Sequence, residues 1–299
     1  MTRASFGLAF LRAYPRRTMA LKSMTPVSFE FFPPRDTSGR EKLTTGTATK
    51  LAALGPEYFS VTYGAGGSTK EGTKQTVTDL MDRGWNAVPH LSVGGTDQQG
   101  TLDLVAYYKE LGVKKILCLR GDRAESDAHN PQYAEDLVRL IRQHFGDCFE
   151  IVVGAYPEVH PDSASGQDDL MFFKRKVEAG ADVAITQYFY NIEAYGYFVD
   201  QCQSLGIDIP IVPGVMPITN YASLCRFSEK AGADIPRWLD RAMAQRQDSD
   251  EELGKFGVEV VTRLCERLIE LGAPAIHFYT LNRWGATTKV CANLGLNVS

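Results

Sequence analysis

Short β-type runs alternate with longer helix-type stretches along almost the whole chain, and nothing else in the sequence restricts the fold as much. The runs are Val27–Phe32, Tyr58–Tyr63, Ala87–Leu91, Lys115–Leu119, Ile151–Tyr156, Val183–Tyr188, Ile211–Pro213 and Ala275–Tyr279. They number about eight and recur at the spacing of βα units. The clearest helix is Gly254–Leu271, where Phe256, Val260, Leu264, Leu268 and Leu271 recur at helical spacing before Gly272 and Pro274 stop it. The acidic cluster Asp248, Asp250, Glu251 and Glu252 ahead of it reads as a solvated helix start favoured by the dipole, not as a metal site. No linker or low-complexity segment divides residues 26–299. The pattern therefore predicts an α/β chain forming one (β/α)8 TIM barrel, with a doubly wound open sheet as the alternative.

Residues 1–25 differ. Arg3, Arg12, Arg16, Arg17 and Lys22 occur there without an acidic residue, around Phe6, Leu8, Phe10 and Leu11. This reads as an N-terminal extension or amphipathic helix, with an organelle transit segment or an upstream start ahead of Met19 or Met24 as the other readings. A net charge of −4 argues against a nucleic-acid partner, which calls for a basic stripe. No apolar run approaches the roughly 18 residues of a membrane span. The six cysteines form no CxxC pair, so reduced thiols, a cytoplasmic location and no zinc site are expected.

In a barrel of this kind the site is built at the C-terminal ends of the strands. Those positions are polar here: Glu30, Thr62, Tyr63, His90, Arg120-Gly121-Asp122, Tyr156, Glu158, His160, Gln187, Thr280, Asn282 and Arg283. Glu30 lies in Ser-Phe-Glu-Phe-Phe-Pro-Pro, where alternation puts Ser28, Glu30 and Phe32 on one face and the two prolines end the ladder. Aromatic surroundings disfavour a charged carboxylate, which suits a proton donor; the alternative is a structural partner for a rim arginine. Tyr63-Gly64-Ala65-Gly66-Gly67-Ser68 lacks the lysine of a phosphate loop and reads as a tight turn or a close backbone approach to a cofactor. Arg120 and Asp122 read equally as site residues or as an internal ion pair. Lys174-Arg175-Lys176 offers contact with an anionic phosphate or a solvated helix face. Without HxH or HExxH, a metal site is not expected.

SFEFFPPR, SVTYGA, PHL, LRGD, AYPEVHP, KRK, ITQYF, PGVMPI and HFYTLNR occur in this order between about Val27 and Leu296. The ordered set resembles the methylenetetrahydrofolate reductase family of the bacterial, flavin-dependent type, as the catalytic barrel alone. The resemblance implies an FAD across the strand ends. It would be contacted by Tyr63, Ala65, His90, Arg120, Gly121, Asp122, Tyr133, Ala134, Tyr156, His160, Asp169, Arg175 and Lys176. Thr62, Gln187, Phe227 and Arg283 match positions that contact the nicotinamide or folate substrate. The implied activity is ping-pong reduction of 5,10-methylenetetrahydrofolate by NAD(P)H, supplying methyl groups for methionine synthesis. Glu30 would be the acid, Asp122 would tune flavin and folate charge, and Gln187 would orient the pterin. A homo-oligomer is expected. Phe172 and Ser223 depart from the family pattern, standing where a related enzyme has polar contacts to flavin and folate. The rival readings are a proline-dehydrogenase-like flavin barrel, a metal-dependent hydrolase using His90, Asp122 and His160, and a non-catalytic ligand-binding barrel.

Overall fold

The computed structural model describes residues 25–63, 70–93, 97–121 and 133–296. The readings of residues 1–24, Ala65 and Asp122 lie outside them. Among the described residues nine parallel strand segments follow one another: β1 Val27–Phe31, β2 Tyr58–Val61, β3 Ala87–Ser92, β4 Lys115–Leu119, β5 Glu150–Ala155, β6 Val183–Thr186, β7 Ile211–Val212, β8 Gly214–Val215 and β9 Ile276–Tyr279. Their order in the sheet is β7-β6-β5-β4-β3-β2-β1-β9-β8. Since β7 and β8 are separated only by Pro213, the two ends of that order are one stretch of chain, and the sheet is a nearly closed barrel. Helices stand between the strands, as the (β/α)8 expectation requires.

The seventh strand departs from the expected Ile211–Pro213. It runs on to Val215 but is broken at Pro213, which has no N–H to give a ladder. Before the break Ile211 and Val212 pair with β6; after it Gly214 and Val215 pair with β9. The Pro213 carbonyl accepts from the His277 N–H at 3.0 Å. Gly214 is required at this seam, because a Cβ would lie 2.1 Å from the Thr186 carbonyl oxygen and 2.5 Å from the Tyr279 ring. The Gly214 N–H donates to the Thr186 hydroxyl at 2.9 Å, and the Tyr279 hydroxyl donates to the Thr186 carbonyl at 2.7 Å. Strand β6 ends at Thr186, short of the expected Tyr188, and β2 ends at Val61, short of Tyr63.

Strand alternation sorts the side chains into two cores. Phe29, Phe31, Phe59 and Phe278 point outward and are buried under the helices. A second cluster fills the barrel: Tyr58, Val88, Leu117, Val152, Ile185, Val212 and Ala275. At the N-terminal end of the barrel, Lys115 and Glu150 pair at 3.1 Å with the lysine ammonium 5.2 Å from the centre of the Tyr58 ring. The long helix spans Asp250–Glu270 and starts earlier than its apolar pattern predicts. Ser249 caps it by accepting from the Glu252 N–H, and Asp250, Glu251 and Glu252 form the acidic first turn.

Candidate active site at the C-terminal strand ends

Glu30 sits one inward step above Ser28 on β1, and its side chain is 12% exposed. The ladder places Ser28 beside His277 and Glu30 beside Tyr279 on β9. Glu30 Oε2 is 3.5 Å from His90 Nε2 and 3.7 Å from His277 Nε2. Glu30 thus faces two imidazoles, and among the described residues no arginine pairs with it. Burial pushes the His90 pKa down to about 4, so that ring is neutral at pH 7, although the nearby Glu30 charge opposes the shift. The Ser28 hydroxyl lies 2.7 Å from His277 Nδ1. Among the described residues neither Nε2 has a hydrogen-bond partner, and the buried hydroxyls of Ser60 and Thr62 have none either. Above Glu30 the rim is held by side chains standing in for the ladder. The Thr280 hydroxyl donates to the Glu30 carbonyl at 2.6 Å, and the Asn282 amide both donates to and accepts from the Phe32 backbone at 2.9 Å.

The cationic side of the rim comes from β4, β5 and the Gly166–Glu178 helix. Arg120 forms an ion pair with Asp162 at 2.6 Å; the reading of an internal pair with Asp122 lies outside the described residues. Gly121 has φ +81, and a Cβ there would lie 2.8 Å from Ser92, so only glycine permits this turn. Tyr156 and His160 meet edge to face at 4.4 Å. Asp169 accepts from the His160 N–H at 3.1 Å and the Ser163 hydroxyl at 3.0 Å, which fixes the loop carrying His160.

The basic run splits by helical position. Lys174 pairs with Glu178 on the surface, whereas Lys176 reaches inward and donates to the Gly154 carbonyl at 2.5 Å. Burial pushes the Lys176 pKa down to about 8, and the Asp169 charge opposes this. Arg175 lies over the Phe172 ring at 5.1 Å, and that ring stacks on Tyr133 at 6.4 Å and 11°. Phe172 thus forms an exposed aromatic pair with Tyr133 under the Arg175 guanidinium. Ala134, beside Tyr133, is buried.

The remaining predicted positions lie further round. The Thr62 N–H donates to the Phe31 carbonyl at 3.0 Å, and burial pushes the neighbouring Tyr63 hydroxyl up to about 12. The Gln187 side chain accepts from the Tyr188 N–H at 3.0 Å. Phe227, on the Tyr221–Ala231 helix, is 39% exposed while Leu224 is buried, so Phe227 is not a core residue. The Ser223 hydroxyl accepts from Arg226 on the same helix at 3.0 Å. Arg283 is exposed after β9. Among the described residues no group of three His, Cys, Asp or Glu could hold a metal ion. Sequence reasoning missed His277, Tyr279 and Thr186. The usable signal was alternation within HFYTLNR, which puts His277 and Tyr279 on one face as Ser28 and Glu30 are on theirs.

Fold and rim together define the class: an α/β-barrel enzyme whose buried carboxyl–imidazole cluster opens beside a cationic and aromatic edge. The sequence profile described as methylenetetrahydrofolate reductase matches residues 16–295, and the chain belongs to that family. It is 38% identical over 271 residues to 5,10-methylenetetrahydrofolate reductase of Escherichia coli (strain K12), covering 90% of each chain. Identity to the enzyme of the same name from Pectobacterium carotovorum subsp. carotovorum is 38% over 278 residues, covering 92% of each. Methylenetetrahydrofolate reductase (NADH) 1 of Zea mays is 34% identical over 288 residues, but these cover only 48% of that protein. Among solved structures, an uncharacterised Clostridium thermocellum protein that binds two copies of 5-methyl-5,6,7,8-tetrahydrofolic acid superposes with a TM-score of 0.64 over 93% of this chain and 97% of that one. At 17% identity that likeness concerns the fold alone.

Proposed function

We propose that this chain reduces 5,10-methylenetetrahydrofolate to 5-methyltetrahydrofolate with NAD(P)H, in alternating half-reactions through FAD, and so supplies methyl groups for methionine synthesis. One observation carries the reading: a buried carboxyl at the end of β1, with its Oε2 3.5 and 3.7 Å from two imidazole nitrogens, inside a polar rim.

The residues present fit a dinucleotide. Arg120, Arg175 and Lys176 offer cations suited to a diphosphate, and the exposed Tyr133 and Phe172 rings offer a stacking surface. The unpartnered Thr62 hydroxyl and His90 Nε2 are polar atoms that a ring system with hydrogen-bonding edges would satisfy. Bound FAD would supply the hydride relay between the two substrates. Ala65 and Asp122 belong to the same proposal by resemblance.

The chain's own part is positioning and proton transfer. Glu30 Oε2 would deliver a proton to a ring nitrogen of methylenetetrahydrofolate, opening its five-membered ring to a carbon that accepts hydride. His90, neutral at pH 7, places no permanent cation beside the carboxyl. Gln187 and Phe227 would orient the pterin and pack on whichever substrate is bound, with Thr62 and Arg283 beside them. A single site used in turn by both substrates accounts for the alternating order.

The resemblance extends the proposal to a cytoplasmic homo-oligomer. Cys118, Cys202, Cys265 and Cys291 are free and buried, which accords with a reducing compartment, and no helix among the described residues is long and apolar enough to cross a membrane. Anaerobic titration of the purified protein tests the reading. A yellow protein should bleach with NADH or NADPH and regain its colour with methylenetetrahydrofolate; reduction by proline instead, or no flavin spectrum, would overturn it.

A further inference from the structure

Glu158 is a rim carboxyl that the proposed chemistry does not use. It follows β5 in a loop where Val159 holds φ +73, a left-handed conformation costly for a β-branched residue. Its Oε2 accepts from the Asp234 N–H at 2.9 Å, across 76 residues of sequence. Its Oε1 is buried without a hydrogen-bond partner among the described residues, and Glu158 lines a small cavity together with Gln187, Tyr188, Gly232 and Ala233. Burial pushes the carboxyl up to about 7 even though the Asp234 amide favours the charged form.

Two further contacts meet at the same place. Gly232, the left-handed cap of the Tyr221–Ala231 helix, packs so closely on this loop that a Cβ would lie 2.2 Å from the Pro161 ring. One turn earlier, the Tyr188 and Ser228 hydroxyls bond at 3.0 Å. Phe227 is the residue before Ser228, and His160 the one before Pro161. The loop after β5, the end of β6 and the C-terminal end of the Phe227 helix therefore form one joint.

We propose that Glu158 is a positioning residue for substrate binding, clamping the end of the Tyr221–Ala231 helix to the β5 loop so that Phe227 is held at a set distance from the cofactor edge carrying Tyr156 and His160. The link to substrate rests on the proposed function; the clamp does not. Its cost, a buried carboxyl with one unpaired oxygen, is what a positioning device would retain and a purely structural contact would shed.

Two measurements on the holoenzyme test this. In Glu158→Ala, hydrogen exchange should quicken at the Asp234 amide and the last turn of the helix. The KM for methylenetetrahydrofolate should rise about 3–10-fold, the loss of one hydrogen bond, with kcat within about twofold and flavin content unchanged. Glu158→Gln keeps the acceptor and should restore both. Glu158→Asp, one methylene short, should follow Ala and serves if Ala does not fold. In a Phe227→Ala background the KM effect of Glu158→Ala should largely vanish, because both act through one ring. Unchanged exchange at Asp234 overturns the clamp. A fall in kcat at constant KM, no rescue by Gln, or full additivity with Phe227→Ala overturns the positioning role. A wild-type protein that bleaches with neither nicotinamide would overturn the reductase reading, and exchange would still decide the clamp.

Discussion

The Ser28 hydroxyl lies 2.7 Å from His277 Nδ1, and this contact leaves Nε2 of the same ring turned to Glu30 at 3.7 Å. The His277 ring thus stands between the Ser28 hydroxyl and the Glu30 carboxyl. His277 is fully buried, so its orientation is set by packing and by Ser28.

Glu30→Gln keeps the shape and removes the acidic proton. Bleaching by NAD(P)H should stay near the wild-type rate while reoxidation by methylenetetrahydrofolate slows about 10²–10⁴-fold. Rapid-mixing absorbance separates the two steps; survival of both within a few-fold would dismiss Glu30 as the acid.

His90 makes stability fall on the acid side. Its pKa is lowered from 6.5 to about 4 in the fold by burial. Between those values the unfolded chain binds more protons than the native one, so stability is full above pH 6.5 and declines as pH falls toward 4. The loss is on the order of 3 kcal/mol at most. Urea unfolding at several pH values should show a shallower decline for His90→Gln than for wild type; parallel curves would contradict the assignment.

Phe227→Ala should separate binding from folding. The ring is 39% exposed, so the melting temperature should barely move. Both Michaelis constants should rise, by about 2–10-fold if stacking contributes roughly 0.5–1.5 kcal/mol. A large fall in melting temperature with normal substrate constants would end the stacking role.

Gly214→Ala should damage barrel closure. A methyl there meets the Thr186 carbonyl oxygen at 2.1 Å, a backbone atom that cannot swing aside. The cost should reach about 3 kcal/mol or more, at or above the upper end for overpacking. Thermal unfolding reads it, and a variant melting like wild type would mean that the β6–β8–β9 seam yields without penalty.

The alternation of strands and helices was legible because its cause is local. A period of two in Ser28-Phe29-Glu30-Phe31 assigns Phe29 and Phe31 to the helix side and Glu30 to the interior before any partner is known. The same logic located the long helix, although its start was read four residues late because the cap Ser249 carries no apolar signal.

The sequence by itself determined the barrel class and placed Glu30 and His90 among the residues at the C-terminal ends of the strands. Only the tertiary structure decided their neighbours. His277 meets Ser28 across 249 residues, Arg120 chooses Asp162 across 42, and Pro213 divides one strand between two partners. Side-chain direction along a strand follows from sterics between adjacent residues. Which strands pair, and in what register, is a balance of burial and hydrogen bonding over the closed barrel, and no local window of sequence contains that balance.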